Sequence, residues 1–207
     1  MPDLELRAIA LKKVFNRRVI FQDISFSLRS GQTLLVTGRN GSGKSTLVKI
    51  ISHILTPSGG RVEFVSSSGA PSLPQALIGL VSPYLQLYDE FSARENLQFS
   101  LAIRGMAANN QGIDELLERF TLHTRMHDPV QTYSSGMKQR VKLAMALIHH
   151  PPILILDEPM SNLDHDGITS VREVMTAHRK HGLLVVATND LTDIDTYDMQ
   201  VDLNASR

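Results

Sequence analysis

The residues Gly38-Arg39-Asn40-Gly41-Ser42-Gly43-Lys44-Ser45, followed by Thr46, carry the spacing G-x-x-x-x-G-K-[ST], and each fixed position has a chemical reason. Gly38, Gly41 and Gly43 let the backbone bend into a nest whose N–H groups converge on phosphate oxygens. A helix starting near Lys44 adds its positive end at the same point. Lys44 supplies a mobile charge for the outer phosphates, and the Ser45 hydroxyl is placed to ligate a bridging Mg²⁺. The apolar stretch 33–37 leads in and 46–55 leads out, giving the strand, loop and helix that a P-loop needs. These residues read as a site for a nucleoside triphosphate.

A second pair of reactive groups lies downstream. The four apolar residues 153–156 run into Asp157, Glu158 and Pro159, which puts two acids at the C-terminal end of a buried strand, where open α/β sheets bind ligands. Asp157 is then the expected Mg²⁺ partner, directly or through water. Glu158 is placed to orient and polarise an attacking water.

Strands are expected at 4–11, 19–28, 33–37, 61–65, 153–156 and 183–187, from their β-branched content and flanking Gly, Ser and Pro. Helical periodicity predicts helices at 44–55, 93–103, 113–120, 135–149 and 167–181, with 114/118 and 115/119 as i,i+4 neighbours on the third. The middle of the chain is mostly helical. The expected architecture is an α/β P-loop core interrupted by a helical insertion over about 84–150. The Ser- and Gly-rich stretch 66–72 reads as a hairpin or loop tip, and no tail extends far beyond the last expected strand.

Composition narrows the class. The 207 residues, 42% of them hydrophobic, suffice for one sizeable core. Lys+Arg and Asp+Glu both total 21, so no basic excess draws nucleic acid nonspecifically, and no nucleic-acid partner is expected. The absence of cysteine excludes disulfide scaffolds, cysteine-ligated zinc and thiol catalysis. The first residues lack the apolar core of a signal peptide and no run approaches the ~20 apolar residues of a membrane span, so a soluble chain is expected, with any membrane role reached through a partner.

Between the two sites stands Tyr133-Ser134-Ser135-Gly136-Met137-Lys138-Gln139-Arg140, ahead of a long amphipathic pattern. Ser134 can cap that helix, and the N–H groups around Ser135 and Gly136 then form either a plain N-cap or an anion site. The segment resembles the LSGGQ-x-x-R signature of ATP-binding-cassette (ABC) ATPases, and the resemblance covers nearly the whole chain. Phe15 matches the aromatic position that stacks on adenine, 38–46 the Walker A motif, 134–137 the signature, and 153–158 Walker B with its catalytic glutamate. Ser161-Asn162-Leu163-Asp164 match the D-loop.

The resemblance implies a RecA-like parallel sheet plus an antiparallel β subdomain over 1–83 and 151–207, with 84–150 as a helical signature subdomain. It also implies hydrolysis of ATP with Mg²⁺ and contact of Ser134, Ser135, Gly136 and Met137 with ATP held by a second ATPase subunit, most simply in a homodimer. Integral membrane permease subunits would be the driven partners, placing the chain peripherally on the inner face of the cell membrane. The compact length resembles the small ATPase of haem exporters in cytochrome c maturation, with ABC-2-type exporter ATPases as close rivals. A soluble non-transport ABC ATPase and a weakly hydrolysing nucleotide-dependent binding module are the alternatives.

Departures from the family pattern are specific. The switch histidine is matched by Asn189 within Thr188-Asn189-Asp190, which can hydrogen-bond a phosphate but carries no charge and shuttles no proton. Counting back from Arg94-Glu95-Asn96-Leu97, the usual Q-loop glutamine falls at Pro83, with Gln86 three residues on. Gln86 either serves the metal through a shifted loop or is a surface glutamine, and Tyr84, Leu85, Leu87 and Tyr88 either meet the membrane partner or pack beneath the helical insertion. Ser135 and Met137 replace a signature glycine and glutamine but keep the backbone donors. His149-His150 and the group His123, His127 and His165 are expected to be surface or packing residues rather than a metal site.

Overall fold

A computed structural model of the chain describes residues 4–66 and 77–204. The alternating segment at the start forms β1 (Leu4–Phe15) and β2 (Arg18–Arg29), an antiparallel pair joined by Asn16 and Arg17, both at positive φ. That is the two-residue turn whose twist suits a hairpin, and it leaves Phe15 opposite Arg18 at the hairpin end. β4 (Gly59–Ser66) pairs with the other edge of β1, completing a three-stranded sheet in the order β2-β1-β4. Apart from Ser66, the expected loop tip at 66–72 lies outside the described residues.

The second sheet is parallel, in the order β5-β6-β7-β3-β8, with β3 (Thr33–Thr37), β5 (Ile78–Val81), β6 (Ile153–Asp157), β7 (Leu183–Ala187) and β8 (Met199–Asp202). β3, β6 and β7 are buried at every residue, as expected of strands covered on both faces. Their side chains alternate between two cores. Ile153, Ile155, Leu183 and Val185 face the core shared with the antiparallel sheet and α1 (Lys44–Ile51), whereas Leu154, Leu156, Leu184 and Val186 face the remaining helices. The expected RecA-like parallel sheet and antiparallel β subdomain are both present.

Three helices follow one another between β5 and β6: α2 (Ala93–Ala102), α3 (Asn110–Arg119) and α4 (Ser135–Leu147). α2 begins with a full capping box between Ser92 and Glu95. Arg94 of α2 forms an ion pair with Asp114 of α3. α5 (His165–Arg179) packs Val171, Val174 and Met175 on the same core. No helix among the described residues is long and apolar enough to cross a membrane.

Two strands, β5 and β8, are additions to the expected set, and α3 begins three residues earlier than expected because Asn109 caps it, accepting a hydrogen bond from the Gly112 N–H.

Candidate functional site

The parallel register brings three strand ends into one row. Asp157 lies opposite Ala187, and Ala187 opposite Val36, so the acids, Asn189 and the P-loop all emerge at one edge. The ladder continues past the strands, with the Glu158 N–H donating to the Ala187 carbonyl at 2.8 Å and the Thr188 N–H to the Val36 carbonyl at 3.1 Å. Glu158 itself sits at φ 51, a left-handed conformation unfavourable by about 1–2 kcal/mol for a residue with a side chain.

The loop between β3 and α1 is built on its glycines. Gly43 sits at φ 110, and a Cβ there would lie 2.6 Å from Ile20 Cγ2, while one on Gly38 would lie 2.4 Å from Ser42 Oγ. Lys44 is buried, donating to the Gly38 carbonyl at 2.9 Å and pairing with Glu158 Oε1 at 3.2 Å. A cleft of about 370 Å³ is lined by Phe15, Ile20, Asn40, Gly41, Gly43, Lys44, Ser45, Thr46, Pro83, Tyr84 and Glu158. Phe15 is 43% exposed there, with Lys13 Nζ 4.7 Å from its ring centroid, so the β hairpin offers an aromatic surface at the mouth.

Asp157 is completely buried. Its Oδ2 accepts a hydrogen bond from Ser82 Oγ at 3.4 Å, and its Oδ1 has no partner. Burial pushes its pKa above the ordinary carboxylate value, opposed by the neighbouring Ser45 hydroxyl and reinforced by the nearby Glu158 charge. An orphaned buried carboxylate oxygen beside the Ser45 hydroxyl is the hard-oxygen donor set that Mg²⁺ takes, usually with several waters retained. Ser45 and Asp157 therefore fit the metal expected of them.

Not all of the expected residues converge. Asn189 is exposed and donates to Asn40 Oδ1 at 3.3 Å, lining with Gly38, Arg39 and Asn40 a second concavity beside the cleft. Gln86 is exposed and lies in a separate groove with Ile54, Ile78, Leu80, Leu85, Tyr88 and Ile103. The reason is a turn: the Leu85 N–H donates to the Ser82 carbonyl at 3.1 Å, with Pro83 at its second position, and sends the following residues away from Ser45 and Asp157. The residues that reach the cleft instead are Pro83 and Tyr84.

Ser134 caps α4, accepting from the Met137 N–H at 3.2 Å, and Ser135 is exposed ahead of Gly136. A Cβ on Gly136 would stand 3.0 Å from the Asn162 carbonyl. Gln139 donates to the Pro159 carbonyl at 3.2 Å, and Arg140 pairs with Asp164 Oδ1 at 2.5 Å, the oxygen that also caps α5 through Gly167. Ser161 is exposed, its N–H donating to the Glu158 carbonyl at 3.2 Å. The signature helix is thus fastened to the loop after Glu158, while residues 134–137 line no part of this chain's own P-loop cleft. Among the described residues no group of three metal-ligating side chains forms. His149 is buried with Nε2 at 3.2 Å from the Ile78 carbonyl.

Sequence reasoning missed Ser82 and Lys49, whose Nζ lies 4.0 Å from the Tyr84 ring centroid. Ser82 follows Val81, which pairs with Leu156, so it meets Asp157 only through long-range register. The position just after the short apolar run 78–81 was the one available signal.

Residues 21–161 match the sequence family described as ABC transporter. Curated relatives include an uncharacterized ABC transporter ATP-binding protein of Bacillus subtilis, 33% identical over 93% of this chain and 65% of its own length. Another is a cytochrome c biogenesis ATP-binding export protein of Cupriavidus pinatubonensis, 32% identical over 90% of this chain and 84% of the relative. The chain spans 65%, 62% and 60% of the first three curated relatives it matches. A solved structure described as the ATP binding subunit of an ABC transporter has a TM-score of 0.80 at 26% identity, covering 90% of this chain and 80% of that one. With the match running from the second strand past the strand-end acids, and with a relative above 30% identity over most of its own length, this chain belongs to the ABC transporter family.

Proposed function

We propose that the chain is the ATP-binding subunit of an ABC exporter, hydrolysing ATP to ADP and phosphate to drive separate membrane permease subunits. The observation that carries the reading is the buried Lys44 ammonium, held 3.2 Å from the Glu158 carboxylate beside the orphaned oxygen of Asp157. In this reading adenine stacks on Phe15, and the backbone N–H groups of 39–46 with Lys44 hold the phosphates. Ser45 and Asp157 would hold Mg²⁺, which when bound offsets the charge on the β- and γ-phosphate oxygens. Lys44 turns from Glu158 to the phosphates, freeing that carboxylate to accept a proton from the attacking water. The water oxygen bonds to the γ-phosphorus as the bond to the bridging oxygen breaks, giving ADP and phosphate.

The signature residues 134–137 line no part of this chain's own cleft, which favours completion of the site by a second subunit, head to tail, in a homodimer. The groove at Leu85, Gln86 and Tyr88 is the surface proposed to receive the permease, with the chain peripheral on the cytoplasmic face. Relatives named for cytochrome c biogenesis export, for lantibiotic transport in Streptococcus pyogenes and for linearmycin resistance in Bacillus subtilis support export, through either a haem-export or an ABC-2-type permease. Asn189, exposed and bonded only to Asn40 among the described residues, favours a slow cycle that leans on Glu158.

The test is steady-state ATPase activity, alone and with membranes from the source cell. Glu158→Gln should lower turnover at least ~100-fold while ATP is still retained, since it removes the proton acceptor but keeps the shape. Unchanged turnover in that variant would refute the role of Glu158.

A further inference from the structure

Phe15, at the mouth of the P-loop cleft, is exposed at the end of a hairpin, and a ring so placed needs something to hold it. Four basic residues flank it in the chain: Lys12, Lys13, Arg17 and Arg18. Three of them are exposed. Lys13 is only 9% exposed, and among the described residues it alone lies over the ring, with Nζ 4.7 Å from the centroid. Strand alternation puts residues 13 and 15 on one face of β1. The Lys13 ammonium donates to the Thr56 carbonyl at 2.8 Å, and no carboxylate pairs with it among the described residues. A nearly buried cation without a counter-charge is costly, and lysine is seldom so buried unless paired. Here the negative face of the Phe15 ring is its second partner. β1 shifts register against β2 on both sides of Lys13, and the strand is also held there by the segment that follows α1. The Ser58 N–H donates to the Lys12 carbonyl at 2.7 Å, and Ser58 Oγ accepts from the Val14 N–H at 3.1 Å.

We propose that Lys13 is a positioning residue for the nucleotide base and, through Phe15, sets how strongly the site prefers a nucleoside triphosphate to a bare polyphosphate. The proposal rests on the ATP-binding reading, in which adenine stacks on Phe15. Lys13 lines no part of the cleft, so its charge acts through the ring and not on the phosphates. A cation over one face draws the π electrons towards itself and leaves the opposite face less negative. The electron-rich face of a purine is then repelled less when it stacks there. The bond to Thr56 fixes the charge relative to the end of α1, the helix that begins at Lys44. The stacking ring and the phosphate cradle are thereby referred to one element, which sets the separation at which base and triphosphate are met.

Lys13→Met keeps the length of the side chain and removes the charge. In the whole chain it should raise both Kd and KM for Mg²⁺-ATP about fivefold, the effect of losing one partly desolvated cation–π contact, with kcat changed by less than about twofold. Its Kd for Mg²⁺-tripolyphosphate, which has no base, should stay that of the native protein, and this also shows that the P-loop of the variant is intact. Added to Phe15→Leu, the Lys13→Met change should weaken ATP binding no further, since the ring through which it acts is gone. Isothermal titration calorimetry gives the Kd values, and steady-state turnover gives KM and kcat. An unchanged Kd for ATP, an equal loss for tripolyphosphate, or the same loss on the Phe15→Leu background overturns the proposal alone. A native protein that does not bind Mg²⁺-ATP overturns the ATP reading and the proposal with it.

Discussion

Asp157→Asn separates what the fold needs from what the chemistry needs. The acid is completely buried, one oxygen is held only by a 3.4 Å bond from Ser82, and the other has no partner. Burial raises its pKa, with the Ser45 hydroxyl opposing and Glu158 reinforcing the shift. An acid whose folded pKa lies above its unfolded value destabilises the fold at neutral pH, and that cost fades as pH falls through the raised value. An orphaned buried acceptor costs about 1–3 kcal/mol, more when charged. Removing the charge while keeping the shape should recover about 1 kcal/mol, since the new amide N–H is itself imperfectly paired. For a chain of 207 residues that is a rise of about 2–4 °C in Tm without ligand. Mg²⁺-ATP at about 100 times its Kd should then stabilise the native protein by about 2.7 kcal/mol, or about 5–10 °C, and the variant far less. Differential scanning calorimetry with and without Mg²⁺-ATP should therefore find the order of the two proteins reversed by ligand. A ligand-free variant that melts below the native protein, or an equal gain for both, would refute the reasoning.

Gly43→Ala should cost about 2 kcal/mol or more, because φ 110 is strained for alanine and the new methyl meets Ile20, whereas Gly41→Ala, at φ 78 with nothing within 4 Å, should cost only about 1 kcal/mol; urea midpoints measure both. Burial, with Arg104 adding to it, lowers His149 to a pKa of about 4, below the ordinary 6.5 of the unfolded chain. Stability is therefore lost as pH falls below 6.5, and between pH 7 and 5 the native protein should lose about 2 kcal/mol that His149→Gln does not. Parallel denaturation curves at the two pH values would count against this if the losses matched.

The parts of the site that sequence exposes are those confined to short windows. Gly38 to Thr46 and Asp157-Glu158 each declare their chemistry within a few residues, and their flanking strands are buried apolar runs that periodicity cannot miss. β5 was harder: Gly79 interrupts its four residues, and only the packed structure shows why, since a Cβ there would lie 2.2 Å from the Ala146 carbonyl of α4. β8, Met-Gln-Val-Asp at the edge of the sheet, alternates half-buried and exposed residues and is too short to stand out. The early start of α3 was hidden by Gly112, a residue that reads as a breaker yet leaves room for the Asn109 cap. For Gln86 the spacing from Arg94-Glu95-Asn96-Leu97 left a metal role and a surface position both open. A turn three residues earlier, set by Pro83, decided its place.

The loop from Glu158 to Asp164 joins the two halves of the proposed cycle. Two of its residues, Glu158 and Asn162, hold left-handed conformations at φ 51 and 64, each unfavourable by about 1–2 kcal/mol for a residue with a side chain. Such a loop keeps its shape only while its surroundings impose it. On one side the ladder bond to Ala187 fixes Glu158 at the strand ends. On the other, the signature helix supplies Gln139 to Pro159 and Arg140 to Asp164, with Gly136 close enough to the Asn162 carbonyl that a methyl would have to push it away. If residues 134–137 meet the nucleotide of a second subunit, any displacement of α4 is felt at the backbone of this chain's own Glu158 through bonds of 3.2 Å or less. Each catalytic acid then responds to the nucleotide across the interface as well as to its own. The small residue at 136 follows from that coupling: a side chain there would hold the helix off the loop that carries the acid.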